Sequence, residues 1–510
     1  MAKHIMLMGT SSHVGKSILT TALCRIFYQD GQRVVPFKAQ NMALNSFVTR
    51  DGDEMGRAQV AQAEAAGLEP FVDMNPVLLK PTGDAKSQVV LMGKPVGNMT
   101  AREYHRGYSL KAFDTVKEAL ARLDRDYDTI VIEGAGSPAE VNLKANDIVN
   151  MRVAKYLQAP VLLIADIDRG GALASLVGTL ELLEEDERAL IRGLIINKFR
   201  GDVSLLQPAL DFLEEKTGKP VLGVIHHIEA LGIDEEDSVS LDEMEAKEGE
   251  KQADIQLAVI RTPKISNFTD FDALAGEEDV RLTYVRRAEE LGNPDLILLG
   301  GSKNTSEDLL YLKTSGLADA ILERHRSGTP VIGICGGYQM LGERISDPLE
   351  TESSIGEIEG LSLLGLHTVF AAEKQTNQAT ASISGLSFCG ETVSAEGLLG
   401  YEIHTGQTTC TRGAETHPFT ITRRSGEIMA GCGTVSEDGL VFGTYLHGLF
   451  DHDDFRRSIL NILRKRKGLP PAAGTRNLHK ERQAAYDRLA EKCRAELDMK
   501  TIYRLIGEQD

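Results

Sequence analysis

Residues 8–17 read MGTSSHVGKS, and whether they form a phosphate-binding loop decides the fold of the first half of the chain. The Walker pattern is G-x-x-x-x-G-K-[ST]: backbone N–H groups cradle phosphate, the lysine neutralises it and the hydroxyl helps hold Mg²⁺. Gly15, Lys16 and Ser17 supply the end of that pattern. Thr10 stands where its first glycine belongs, and Gly9 lies one residue early. The setting supports a loop all the same. An apolar run, HIMLMG, precedes it, and KSILTTALCRIFYQDG follows with apolar residues at helical spacing as far as Gly31. A strand–loop–helix junction aims a helix N-terminus at bound phosphate.

Further along, RVVPFK, DTIVIEG, APVLLIAD, ALIRGLIINK and KPVLGVI alternate with helical stretches. Near-continuous apolar runs suit strands buried on both faces, so residues 1–231 are expected to form an α/β domain with a doubly wound parallel sheet. Ligands of such sheets gather at the carboxyl ends of the strands. Glu133 falls at one such end, where a carboxylate could bind Mg²⁺. Asp166 and Asp168 end another strand, and Asn197 and Lys198 a third, with the Asn197 amide placed to read a purine edge.

Residues 232–252 are acidic and poor in large apolar side chains, which predicts a solvated linker. The apolar pattern restarts at 253 and runs to 452 as a second α/β domain. Residues 453–510 read as a terminal helical segment. Within the second domain, VIGICGGYQMLG carries G-x-C-x-G at Gly333, Cys335 and Gly337, a nucleophile elbow with cysteine in place of serine. A thiol there sits at a helix N-terminus, which favours the reactive thiolate. His447, in FGTYLHGLF, is the candidate base, distant in sequence as such partners usually are. Gly300 and Gly301 make an earlier strand-end turn, and the N–H groups of Gly301 and Gly336 are candidates for an oxyanion hole. Glu402 is a candidate to orient the base, and His404 is a rival base.

Composition sets outer limits. At 510 residues the chain exceeds a single hydrophobic core. A net charge of -19 opposes non-specific binding to nucleic acid or anionic membrane, so neither is expected as a partner. Six cysteines without C-x-x-C spacing suit a reducing compartment, and no segment reads as a signal peptide or a membrane span. A cytoplasmic enzyme is expected.

The first half resembles the phosphate-loop proteins that include dethiobiotin synthetase, the synthetase half of CTP synthase and the partitioning ATPases. In the first two, the resemblance implies that the loop steers the γ-phosphate of ATP onto a carboxylate or carbonyl oxygen. Glycine turn, Cys elbow and then His resembles the class I glutamine amidotransferase domain, which releases ammonia from glutamine through a thioester. Its common form has His-x-Glu, whereas His447 is followed by Gly448 and Leu449.

Taken together, GTSSHVGKS, PFKAQNMALNS, GRAQVAQAEAAG, DMNPVLLKP, IEGAGSPAEVNL, DIDRGG, RTPKISNFTDFDAL, GICGGYQMLG and YLHGLF resemble the cobyric acid synthase family along essentially the whole chain. Departures stand at His13, where an acidic residue is expected, and at Ala39 and Gly300, where proline is expected. The resemblance implies four glutamine-dependent amidations of adenosylcobyrinic acid a,c-diamide, at its b, d, e and g carboxylates, each consuming one ATP. It further implies that Lys16, Ser17 and Glu133 carry ATP and Mg²⁺, that Lys38 contacts phosphate or substrate, and that Glu54 supplies a second acidic metal ligand. The enzyme amidating the a and c carboxylates of cobyrinic acid shares both domains, but QNMALNS and ISNFTDFD favour the cobyric acid reading. A partitioning-type ATPase leaves the Cys elbow without a role and fits poorly with the acidic charge.

Overall fold

The computed structural model describes residues 2–83, 86–228, 253–472, 474 and 476–507; the stretch expected as an acidic linker, 232–252, lies outside the described residues. In β1 (Lys3–Gly9) the four residues Ile5, Met6, Leu7 and Met8 are all fully buried. Alternate side chains of a strand point to opposite faces. Met6 and Met8 accordingly join one core with Val116 and Leu120, and Ile5 and Leu7 join the other with Leu19 and Leu23 of α1 (Lys16–Gln29). This two-sided burial is what the unbroken apolar run foretold.

With β2 (Val34–Phe37), β3 (Thr129–Glu133), β4 (Val161–Asp166), β5 (Ile191–Phe199) and β6 (Val221–His226), β1 forms a six-stranded parallel sheet in the order β6-β5-β4-β1-β3-β2. Strand order reverses at β1, between β4 and β3, so a crevice opens at its carboxyl end. The loop of residues 10–15 lies there, and α2 (Arg57–Ala65) packs against α1.

The second half repeats the plan with β7 (Ile255–Ile260), β8 (Val280–Val285), β9 (Leu296–Leu299) and β10 (Val331–Ile334), the last leading into α3 (Gly336–Met340). A long antiparallel hairpin of β11 (Leu366–Phe388) and β12 (Glu391–Cys410) follows, then β13 (Thr434–Val435) and β14 (Val441–Thr444). The second sheet runs β8-β7-β9-β10-β14-β13, parallel except for its last pair. The hairpin also joins the halves. In β11, Lys374 pairs with Glu54 (2.6 Å), the Thr376 hydroxyl donates to the Gly52 carbonyl, and the Gln378 amide to the Val48 carbonyl.

The final segment, expected as helical over 453–510, holds three helices that divide between the two halves. In α4 (Asp453–Arg466), Phe455, Ile459, Leu460 and Leu463 recur on one face and close the core of the second half. In α5 (Leu478–Glu496), Ala485, Tyr486, Leu489, Ala490 and Cys493 instead pack on the α1 side of the first half, as does Ile502 of α6 (Met499–Leu505). Arg25 of α1 pairs with Asp487 (2.8 Å), and the Tyr486 hydroxyl donates to Glu64. Small residues along α5 allow that close approach to α1.

Candidate functional site

The loop after β1 explains its displaced glycine. Thr10 continues the strand ladder, its N–H donating to the Ile164 carbonyl, so the turn starts after it. A Cβ on Gly9 would lie 2.5 Å from Val14 Cγ2 and 2.8 Å from the Ser11 carbonyl oxygen. Glycine is required at 9 because the loop folds back over the strand end there. Lys16 Nζ donates to the carbonyls of Ser11 (2.9 Å) and Gly136 (3.3 Å), holding its charge at the mouth of the loop. Asn197 is turned to this loop as well: its amide donates to the Val14 carbonyl (2.8 Å), bracing the approach to Gly15.

Glu133, at the end of β3, is buried beside them. Its Oε1 accepts from the Ser17 hydroxyl (2.8 Å) and from Lys38 Nζ (2.9 Å), and its Oε2 from the Gln62 amide (2.5 Å). Burial pushes this carboxyl up, but Lys38 and the hydrogen bonds from Gln62 and Ser17 outweigh it and hold it below its ordinary range. Ser17 and Glu133 are hard oxygen donors already in contact at the loop, a set that fits Mg²⁺. Glu54 does not join them. Its two oxygens are taken by Lys80 and Lys374, both at 2.6 Å, because the short strand Glu54–Gly56 lies toward the second half, away from the sheet's carboxyl edge. Asp166 and Asp168 pair with Lys198 and Arg200, and neither lines the crevice.

The crevice is a cavity of about 1520 Å³ lined by the loop, Lys38, Glu133 and Asn197. Phe268 and Asp272 of the second half and Arg476 and Arg482 of the final segment complete its wall.

At the second site, Cys335 sits between β10 and α3 with φ 53° and ψ -108°, a backbone conformation rare outside glycine. A Cβ on Gly337 would lie 2.1 Å from the Leu299 carbonyl oxygen, so the elbow turns tightly enough to demand glycine. The Cys335 S–H donates to the Ile403 carbonyl (3.5 Å). His447 is fully buried and stacked on Tyr401 with ring centroids 5.0 Å apart. Its Nδ1 lies 2.7 Å from Asp270 Oδ2, and the Gly448 N–H donates to Asp270 Oδ1 (2.9 Å). Burial alone would lower the imidazole pKa, yet the Asp270 carboxylate, with the Cys335 sulfur nearby and the hydrogen bond to Asp270, raises it to about 10.

Asp270 therefore stands where Glu402 was expected. Glu402 instead accepts from Arg423 (2.9 Å). His404, the rival base, stacks on Tyr445 and bonds the Gly406 carbonyl through Nδ1. Asp270 lies 177 residues before His447, with no local His-x-Glu spacing to announce it, although it falls inside ISNFTDFD. Both oxyanion candidates reach this place. A Cβ on Gly301 would lie 3.3 Å from His447 Cε1, and one on Gly336 would lie 2.7 Å from the Ser302 nitrogen.

Comparison with known proteins places each half of the chain in a family. Residues 5–240 match the CobQ/CobB/MinD/ParA nucleotide binding domain, and residues 256–455 the CobB/CobQ-like glutamine amidotransferase domain. A nucleotide-binding α/β half and a glutamine amidotransferase half in one chain define an amidotransferase of the ligase class. Relatives described as cobyric acid synthase include one from Pelotomaculum thermopropionicum, 55% identical over 99% of this chain and 97% of its own length. Another from Moorella thermoacetica is 53% identical over 99% of this chain and 98% of its own. The chain belongs to the cobyric acid synthase family, whose work is glutamine-dependent amidation in cobalamin synthesis. No helix among the described residues is long and apolar enough to cross a membrane.

Proposed function

We propose that this chain converts the b, d, e and g carboxylates of adenosylcobyrinic acid a,c-diamide to amides, using ATP to activate each carboxylate and glutamine to supply the nitrogen. The observation that carries the reading is the Cys335–His447–Asp270 site in the same chain as a phosphate loop closed by Lys16. A carboxylate oxygen of the corrinoid attacks the γ-phosphorus of ATP, and ADP leaves. The resulting acyl phosphate exchanges hydroxide, a poor leaving group, for phosphate, a good one. Lys16 neutralises phosphate charge at the loop, and Mg²⁺ held by Ser17 and Glu133 would add charge neutralisation there. Cationic side chains on the cavity wall, including Lys38, Arg152, Lys155 and Arg482, supply the charge a polycarboxylate substrate requires in a chain that is acidic overall.

In the second half, the Cys335 sulfur attacks the side-chain carbonyl carbon of glutamine. The developing oxyanion meets the N–H groups near Gly301 and Gly336, and His447 gives its proton to the departing nitrogen, releasing ammonia. Water then cleaves the thioester to glutamate. Ammonia attacks the acyl phosphate and phosphate leaves. Incubation with ATP, glutamine and each corrinoid tests the assignment. The a,c-diamide is expected to gain four amides, and amidation confined to the hexa-acid precursor would overturn it.

Asp270 is the positioning residue of the thiol site. With the imidazole pKa near 10, activity that needs the protonated ring persists below that value and falls as pH rises through it. Asp270→Asn is expected to lower glutamate release by about 10²–10⁴-fold and to move this alkaline fall to lower pH. A pH profile with an unchanged alkaline limb would remove Asp270 from that role.

A further inference from the structure

We propose that Asp308 is a positioning residue for glutamine cleavage, fixing the Gly301–Ser302 turn against the Cys335 elbow; this rests on the reading of the Cys335 site given above. Asp308 lies in the helix Thr305–Thr314 and is 1% exposed. A buried carboxylate is costly unless its oxygens are hydrogen-bonded, and here both are used. Oδ2 accepts from the hydroxyls of Ser302 (2.6 Å) and Thr262 (2.7 Å), and Oδ1 accepts the Lys264 N–H (3.1 Å). All three donors lie outside its own helix. That helix is capped by Asn304, whose Oδ1 accepts the Glu307 N–H (3.1 Å), so the Asp308 carboxylate is not needed to start it. Burial pushes this carboxyl up to about 6, against the bonds from Ser302, Thr262 and Lys264 and the Lys264 charge. At neutral pH it is therefore ionised and accepts all three.

The two segments it ties together are the ones that shape the thiol site. Gly301 and Ser302 pair antiparallel with Ser266 and Ile265, and the Lys303 N–H donates to the Lys264 carbonyl (2.9 Å). The segment through Thr262 and Lys264 then runs on to Asp270, the partner of His447. One carboxylate thus sets the glycine turn and the approach to Asp270 relative to each other. The turn has little slack. A Cβ on Gly301 would lie 2.9 Å from the Ser266 carbonyl oxygen and 3.3 Å from His447 Cε1, and one on Gly336 would lie 2.7 Å from the Ser302 nitrogen. N–H groups of the turn and elbow must meet an oxygen that gains its full charge only in the tetrahedral intermediate. Misplacing such donors by about 1 Å lowers a rate roughly 10²-fold.

Two measurements on the full-length enzyme test the proposal: steady-state glutamate release, and alkylation of Cys335 by iodoacetamide followed at its own peptide by mass spectrometry. Alkylation displaces iodide from a saturated carbon and develops no oxyanion, so it reports the thiolate alone. Asp308→Asn is expected to lower kcat for glutamate release about 10²-fold, with KM and the alkylation rate each within about threefold of wild type. Ser302→Ala removes one hydroxyl and leaves Asp308 in place, and is expected to lower kcat about tenfold. Because both changes break the same link, the double variant is expected to fall no more than about twofold below Asp308→Asn. A folded Asp308→Asn with kcat within about twofold of wild type would overturn the proposal, as would alkylation that slows in step with kcat. If Asp308→Asn does not fold, the same two readings on Ser302→Ala decide. A wild type that releases no glutamate from glutamine would instead defeat the reading of the Cys335 site itself.

Discussion

Cys335→Ala is expected to lower glutamine-driven amidation by more than about 10⁴-fold, while amidation from high ammonium stays within about twofold of wild type. The first part follows from the chemistry: no other described thiol lies at a strand-to-helix elbow with a buried His–Asp pair nearby. The second follows from architecture. Cys335 belongs to the sheet of the second half, whereas the phosphate loop and Glu133 are anchored in the first. Removing a sulfur does not disturb an ion-pair cluster built on different strands. Parallel assays with the two nitrogen sources check this, and loss of both activities in a folded variant would sink the division of labour.

Lys16→Ala should show the opposite pattern, suppressing amidation from glutamine and from ammonium alike by about 10²–10³-fold. Its ammonium is held by the Ser11 and Gly136 carbonyls at the loop mouth, where the phosphate charge of ATP would gather. Carboxylate activation precedes any use of ammonia, so both nitrogen sources depend on it. Full turnover in this variant would mean that the loop does not handle ATP.

Much of this was legible before any coordinates. Buried parallel strands announce themselves as unbroken apolar runs, and β1 with its loop was readable from HIMLMG and GKS alone. The G-x-C-x-G elbow was equally plain, since its glycines are required by backbone contacts as close as that of Gly337 with Leu299. Asp270 was not legible, because its partnership with His447 is made by the fold across 177 residues. Glu54 misled for a related reason: an acidic residue near a phosphate loop in sequence was carried by its own short strand to the junction with the second half. The final segment was legible as helical, but helical spacing reveals an apolar face and not which body will cover it.

That last point bears on how the protein is made. The face of α1 that receives α5 is synthesised long before its cover. At bacterial elongation rates the interval between them is roughly 20–90 s. Throughout that time Leu23, Phe27 and their neighbours lack part of their native packing. The amino-terminal half must therefore wait on the ribosome, partly uncovered, for the carboxyl-terminal helices to return and seal it.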